Sequence, residues 1–337
     1  MEGLKMDRKK EAQDKDMGRR DFIKKVAVGS AVTAPLMNFQ IPIVRVSLDE
    51  LLQKHFKEMS EEEKKRVIER LEKEHRERYG VDVKIKTTEP LKGVVWGYAL
   101  NIKRCIGCRR CVYACVKENN QSRASPEDPT VGEIHWIRVV EIEKAKIEPG
   151  TEGTDFRTKF GDVKVGISLE EGEHYYDPEK VPEKEYIYIP IQCQQCEKPP
   201  CVKVCPTKAT WKEPDGVIVV DYNWCIGCRY CMAACPYWAR RFNWTWPYLP
   251  KDEINPDMHY LGNRIRYRGV VEKCTFCIQR TREGRYPACL EACPVGARKF
   301  GNLLDPESEI RKIIDEKRVF RLKEELGTEP KFFYYMD

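Results

Sequence analysis

The sequence predicts an α+β chain in which a duplicated cysteine-rich body is interrupted by a β-rich insertion and preceded by a helical extension. Three observations carry that expectation. The segments CIGCRRCVYAC and CIGCRYCMAAC, at residues 105–115 and 225–235, are near repeats of one another, the signature of an internal duplication. Strand-like stretches at Ile134–Ile142 and Tyr186–Ile191, separated by charged, Gly-containing turns, fall in the longest gap between cysteine groups. Ser47 with Glu50, and Ser60 with Glu63, are capping-box patterns, each of which opens a helix.

Taken in order, residues 1–46 read as a leader. Gly18-Arg19-Arg20-Asp21-Phe22-Ile23-Lys24-Lys25 precedes a short apolar stretch, Val26–Phe39, broken by Pro35. That stretch is shorter than the ~20 residues a membrane-spanning helix needs, but it suits a signal h-region. Two arginines followed by Asp, Phe and Ile, directly before such a stretch, resemble the twin-arginine export signal. Ala34 is followed by Pro35 and there is no clean Ala-x-Ala site, so an uncleaved leader stays open. Residues 47–93 form a helical extension and linker, with helices expected over 47–79. Leu48, Leu51, Leu52 and Phe56 make one apolar stripe, and Val67, Ile68 and Leu71 another. Docking of those stripes on the body or on a partner are both open. The body spans 94–303; Val94–Ile102 reads as a strand leading into the first cysteine group, and the insertion covers 116–192. Residues 304–337 are a C-terminal extension ending Phe332-Phe333-Tyr334-Tyr335-Met336, which packs home or docks elsewhere.

The cysteines set the chemistry. All 16 lie between Cys105 and Cys293, in four groups of four. The first (Cys105, Cys108, Cys111, Cys115) and third (Cys225, Cys228, Cys231, Cys235) follow C-x-x-C-x-x-C-x-x-x-C. The second (Cys193, Cys196, Cys201, Cys205) and fourth (Cys274, Cys277, Cys289, Cys293) have longer middle gaps. Pro206, Pro236 and Pro294 follow the last cysteine of three groups; Val116 takes that place in the first. Three cysteines in one loop wrap three corners of a cubane 4Fe–4S cluster, and the fourth reaches a second cluster, so the groups work in pairs. Structural zinc uses C-x-x-C pairs without four runs ending in C-x-x-x-C, and disulfides among loops this dense would be strained. Four clusters are expected.

Charge fits that reading. The formal net charge is +6, and four thiolate-bound clusters would add about −8, leaving the loaded chain near −2. No basic run interleaved with aromatics points to nucleic acid. No phosphate-binding glycine loop or nucleophile arrangement suggests an enzyme in its own right. With 41% hydrophobic and 34% charged residues the core is thin, and bound clusters would supply part of the folding energy. Arg104, Arg109, Arg110, Arg229, Arg240, Arg241, Lys273 and Arg298 crowd the motifs. They either balance charge at the surface or raise selected cluster potentials. Trp211, Trp224, Trp238, Trp244 and Trp246 are expected to pack around the clusters.

The stretches CQQCEKPPCVKVCP, DGVIVVDYNWCIGCRYCMAACPYWARRFNW and EKCTFCIQRTREGRYPACLEACPVGARKFG make residues 94–337 resemble the four-cluster ferredoxin-type iron–sulfur subunits of quinone-linked respiratory complexes. The resemblance implies duplicated bacterial-type two-cluster ferredoxin modules in which outer groups pair and inner groups pair. By position, the first ligand set is then Cys105, Cys108, Cys111 and Cys293, and the second Cys274, Cys277, Cys289 and Cys115. The third is Cys193, Cys196, Cys201 and Cys235, and the fourth Cys225, Cys228, Cys231 and Cys205. NPDMHYLGNRIRYRGVVEKCTFC and the ending EIRKIIDEKRVFRLKEELGTEPKFFYYMD are similar to the DsrO group of the DsrMKJOP complex of sulfate reducers and its archaeal menaquinol-oxidising relatives. That implies an integral membrane quinone subunit of the NrfD type as partner, with a multihaem cytochrome c and a heterodisulfide-reductase-like arm. Membrane association would run through partners and, if retained, the leader. The expected location is the extracytoplasmic face, reached by export of the folded, cluster-loaded chain. Two other readings stay open: an electron-transfer subunit of a molybdopterin enzyme such as polysulfide or tetrathionate reductase, and a soluble ferredoxin shuttle.

Overall fold

The computed structural model describes residues 53–128, 131–144, 146–149, 156–159, 163–164, 175–176 and 181–337. The leader and the capping box at Ser47 lie outside them. The second capping box forms as expected: Ser60 Oγ accepts from the Glu63 amide, the Glu63 carboxylate accepts from the Ser60 amide, and a helix runs Glu61–Tyr79. Gly80 ends it at φ 66°, a left-handed stop that glycine adopts without steric cost. The expectation of helix through 53–59 is corrected. Only a 3-10 turn, Phe56–Glu58, forms there, flanked by extended His55 and Met59. A capping serine needs extended backbone, and here the extended stretch reaches back to Met59. The extension docks on its own chain: Leu71 is fully buried, and Phe56 stacks on Tyr260 with ring centres 4.9 Å apart.

Strand pairing is nested. Trp96–Asn101, entering the first cysteine group, pairs antiparallel with Arg298–Asn302, leaving the fourth. Thr210–Lys212, leaving the second group, pairs antiparallel with Ile218–Val220, entering the third. The outer flanks therefore meet each other, and so do the inner flanks. The C-terminal tail packs home. Phe332–Tyr335 runs parallel beside Trp96–Asn101, and Val319–Phe320 adds the fourth strand of that sheet. Tyr98 and Phe332, side by side in register, stack at 4.8 Å, and Phe276 and Phe300 complete the aromatic centre. In the insertion the strand expected over Ile134–Ile142 forms as Arg138–Glu143, and it pairs antiparallel with Tyr186–Ile191, where the second strand is expected. No helix among the described residues is long and apolar enough to cross a membrane.

Candidate metal centres

The four cysteine groups share one backbone device. In each, the residue before the second cysteine has a positive φ: Gly107 (73°), Gln195 (45°), Gly227 (70°) and Phe276 (54°). The bend turns amides inward, so the Phe276 N–H donates to Cys274 Sγ at 3.4 Å, and Gly107 and Gly227 do the same for Cys105 and Cys225. Such inward amides form a nest for negative charge. Gly107 and Gly227 have a further reason to lack a side chain. A Cβ at 107 would stand 2.4 Å from the Tyr188 ring, and one at 227 would stand 2.1 Å from the Gly269 carbonyl oxygen.

The prolines act at the far end of the second, third and fourth groups. Helices Pro200–Lys203, Tyr230–Ala233 and Ala288–Glu291 stop just before Cys205, Cys235 and Cys293. The chain then turns through Pro into Lys208, Trp238 and Gly296, all at positive φ. With Val116 in place of Pro, the first group's helix continues, Arg110–Glu118. It ends at buried Asn119, Asn120 and Gln121.

All sixteen cysteines are free, and Cys228 alone is exposed. Their neighbourhoods are specific. Cys105 is pushed up to about 11 by burial and by neighbouring Cys111 and Cys293, and Cys105, Cys108, Cys111 and Cys293 line one cavity. Cys115 is raised by burial and by Cys274, Cys277 and Cys289. Cys196 is pushed up to about 12 by burial and by Cys193, Cys201 and Cys235. Cys231 is pushed up to about 11 by burial and by Cys225, Cys201 and Cys205. Across these neighbourhoods Cys111 feels Cys289, Cys274 feels Cys193, and Cys231 feels Cys201. The neighbourhoods therefore succeed one another in a line.

Donor chemistry fits iron–sulfur clusters. Buried thiols that raise one another's proton affinity are poor company for each other, and a cationic core that deprotonates them relieves both burdens. Among the described residues no three His, Cys, Asp or Glu converge as the ligands of one ion do; a cubane's thiolates hold separate irons. Side chains unremarked in the sequence reach the sulfurs. Gln121 Nε2 donates to Cys115 Sγ at 3.2 Å, and Asn119 Nδ2 reaches Cys115 and Cys277 at 3.6 and 3.7 Å. Gln192 Nε2 lies 3.9 Å from Cys274 Sγ, and Tyr98 Oη 3.3 Å from Cys289 Sγ. For Asn119, Gln121 and Gln192 the signal is compositional, uncharged amides close to cysteines in a highly charged chain; Tyr98 carries none.

The basic residues separate by burial. Arg104, Arg110 and Arg229 are exposed and Arg241 half-buried, whereas Arg109, Arg240, Lys273 and Arg298 are buried. Arg298 Nη2 donates to Cys111 Sγ at 3.3 Å, and Arg240 Nη2 to Cys201 Sγ at 3.2 Å. The tryptophan expectation is corrected in part. Trp211 and Trp224 are buried against His55, but Trp238 and Trp244 are 62% and 63% exposed and Trp246 is 38% exposed. Cations hold these rings at the surface: Arg229 over Trp244 at 4.6 Å, Arg78 over Trp246 at 3.6 Å, Arg138 over Trp238 at 5.8 Å.

Family models described as "4Fe-4S dicluster domain" match residues 104–209 and, separately, 184–254 with 261–303. Two dicluster domains and sixteen cysteines correspond to four 4Fe–4S clusters. The chain is 39% identical to "Hdr-like menaquinol oxidoreductase iron-sulfur subunit 1" of Archaeoglobus fulgidus, over 71% of this chain and 82% of that protein. It is 36% identical to the iron–sulfur cluster-binding subunit of menaquinone reductase from Nitratidesulfovibrio vulgaris, over 72% and 88%. It is 32% identical to a subunit of selenate reductase from Mesobacillus selenatarsenatis, over 96% and 98%. The nested strands, the four bent cysteine loops and these relatives agree: the chain belongs to the 4Fe–4S dicluster iron–sulfur subunits, the non-catalytic electron-transfer components of respiratory oxidoreductases.

Proposed function

We propose that this chain relays electrons between a membrane quinone-handling subunit and other redox subunits of a respiratory complex linked to sulfur or sulfite metabolism. The observation that carries the reading is the line of four thiol neighbourhoods, joined at Cys111–Cys289, Cys274–Cys193 and Cys231–Cys201. Cys105, Cys108, Cys111 and Cys293 would hold the first cluster; Cys274, Cys277, Cys289 and Cys115 the second. Cys193, Cys196, Cys201 and Cys235 would hold the third; Cys225, Cys228, Cys231 and Cys205 the fourth. Bound clusters supply one-electron carriers; the chain's own part is to space them, exclude water and set their charge environment. A line of carriers implies fixed terminals. One end reaches the surface at Cys228, beside exposed Tyr230 and Trp244, where a membrane partner of the NrfD type would dock. A multihaem cytochrome c and a heterodisulfide-reductase-like subunit would complete the assembly. The Arg19-Arg20 pair supports export of the folded chain to the outer face.

A second reading, the electron-transfer subunit of a molybdopterin oxidoreductase, is favoured by two likenesses. One is to a subunit of tetrathionate reductase from Salmonella typhimurium, 31% identical over 70% of this chain, and the other is to a polypeptide of polysulfide reductase from Wolinella succinogenes, 40% identical over 46% of this chain. Isolation of the native complex through this chain separates the two readings. Haem c and a quinone-reactive membrane subunit are expected; molybdenum in their place would transfer the assignment to the second reading.

A further inference from the structure

Ten arginine and lysine side chains in the described structure are buried. Seven have a carboxylate within ion-pair reach, among them Arg109 with Glu141, Arg266 with Glu272 and Arg282 with Asp215. Arg240, Lys273 and Arg298 make no ion pair with a carboxylate among the described residues. A buried cation without a counter-charge costs several kcal/mol, so the three that lack one are conspicuous.

Their positions supply the missing counter-charge. Arg298 reaches Cys111 Sγ at 3.3 Å and Cys289 Sγ at 3.9 Å, one thiol from each of the first two neighbourhoods. Lys273 Nζ donates to the Cys274 carbonyl at 2.9 Å and to the Ile218 carbonyl; burial lowers its hold on the proton, and Cys193, Cys274 and Cys201, from the second and third, work against that loss. Arg240 donates to Cys201 Sγ at 3.2 Å and feels Cys231, from the third and fourth. Each junction in the line therefore carries one buried cation.

We infer that Arg298, Lys273 and Arg240 are charge-positioning residues, one per junction, that offset the negative charge an electron adds to either neighbouring cluster and so keep the line reducible along its length. The inference rests on the four-cluster reading. Each cluster with its thiolates is already an anion of about −2, and in a low-dielectric interior adjacent anions repel strongly. A cation between two of them stabilises the reduced state of both. The hydrogen bonds to Cys111 and Cys201 act in the same direction, because donors to ligand sulfur raise cluster potentials.

The test is an anaerobic redox titration followed by electron paramagnetic resonance, with iron counted on the same samples of full-length chain. Arg298→Gln, Lys273→Gln and Arg240→Gln remove the charge; Arg298→Lys, Lys273→Arg and Arg240→Lys keep it. Each Gln variant with full iron should show its two flanking clusters at least tenfold harder to reduce, about 59 mV for one electron, with the other two unmoved. The charge-keeping variants should stay near the parent. Full iron with unmoved potentials in the Gln variants would overturn the inference. Should a Gln variant shed iron, its charge-keeping counterpart decides: full iron at parental potentials upholds the role of charge, and shared loss overturns it. Fewer than four clusters in the unaltered chain would instead overturn the underlying reading.

Discussion

The first and third cysteine groups differ at a single position in CIGCRRC and CIGCRYC, Arg110 against Tyr230, and their loops bend alike. Gly107 and Gly227 sit at φ 73° and 70°, Arg109 and Arg229 at 51° and 64°, and a helix starts at the next residue in both. Their surroundings do not coincide. Arg109 is buried, ion-paired with Glu141 of the insertion, and its Nη1 donates to the Tyr175 carbonyl at 3.0 Å. Arg229 is exposed and lies over Trp244 and Phe242. Cys108 is half-buried and Cys228 exposed. The motif dictates how the loop wraps, while the insertion covers one end of the line and leaves the other open.

The largest expected effect tests whether the loops work alone. Cys293 lies 182 residues beyond Cys111, yet it neighbours Cys105. Cys293→Ala should abolish or damage the cluster of Cys105, Cys108 and Cys111, dropping iron from about sixteen per chain towards twelve. Spectroscopic loss confined to the cluster of Cys274, Cys277 and Cys289 would show that each group keeps its own fourth ligand, and the nested scheme would fail.

The cover itself comes next. Arg109→Ala strands Glu141 in a mostly buried place, and breaking such a pair costs about 3–5 kcal/mol. Anaerobic thermal unfolding should show a loss of that order. Glu141→Gln together with Arg109→Ala should recover part of it, because the uncompensated charge is then gone. A loss under about 1 kcal/mol for the single variant would mean that the insertion does not brace the first loop.

What was readable in the sequence was local. Cysteine spacing, the strand-like stretch at Tyr186–Ile191 and the Ser60 capping box each depend on residues a few positions apart, and the repeat is a likeness between two such local patterns. The sorting of Arg104 from Arg298, or of Trp211 from Trp244, depends on what a distant segment lays over them, and nothing near those residues encodes it. Asn119 and Gln121 both reach the nearby Cys115, but the further reach of Asn119 to Cys277 exists only once the fourth group is folded against it. The tail was undecidable for a similar reason: Phe332 and Tyr334 find their partners only once Trp96–Asn101 is in place.

The duplicated glycines reverse the expected order of tolerance. Both substitutions share the cost of a side chain at positive φ, about 1–2 kcal/mol. Gly107→Ala then meets the Tyr188 ring, which can be trimmed, whereas Gly227→Ala meets the Gly269 carbonyl, which cannot. Gly227→Ala should be the costlier by about 1–3 kcal/mol, although it lies at the open end. Tyr188→Ala in the Gly107→Ala background should relieve the clash, seen as a smaller additional loss than Tyr188→Ala causes alone. Equal costs at 107 and 227 would indicate that the backbone around Gly269 yields.

The smallest effect on the isolated chain belongs to Arg229. It occupies the position of Arg109 in the repeat, but its contacts are exposed stacking over Trp244 at 4.6 Å and Phe242 at 5.3 Å, worth about 0.5–1 kcal/mol. Arg229→Ala should therefore leave unfolding within about 1 kcal/mol of the parent and the iron count unchanged. A cost matching that of Arg109→Ala would show that the motif position, and not the cover, governs stability, and the contrast between the two ends would collapse. The same variant sharpens the contrast in the assembled complex. Cys228, Tyr230 and Trp244 are exposed together at the open end, so loss of the cation that orders Trp244 should lower the yield of membrane subunit recovered with the chain. Full recovery, with Trp244→Ala equally silent, would move the docking face away from this end of the line.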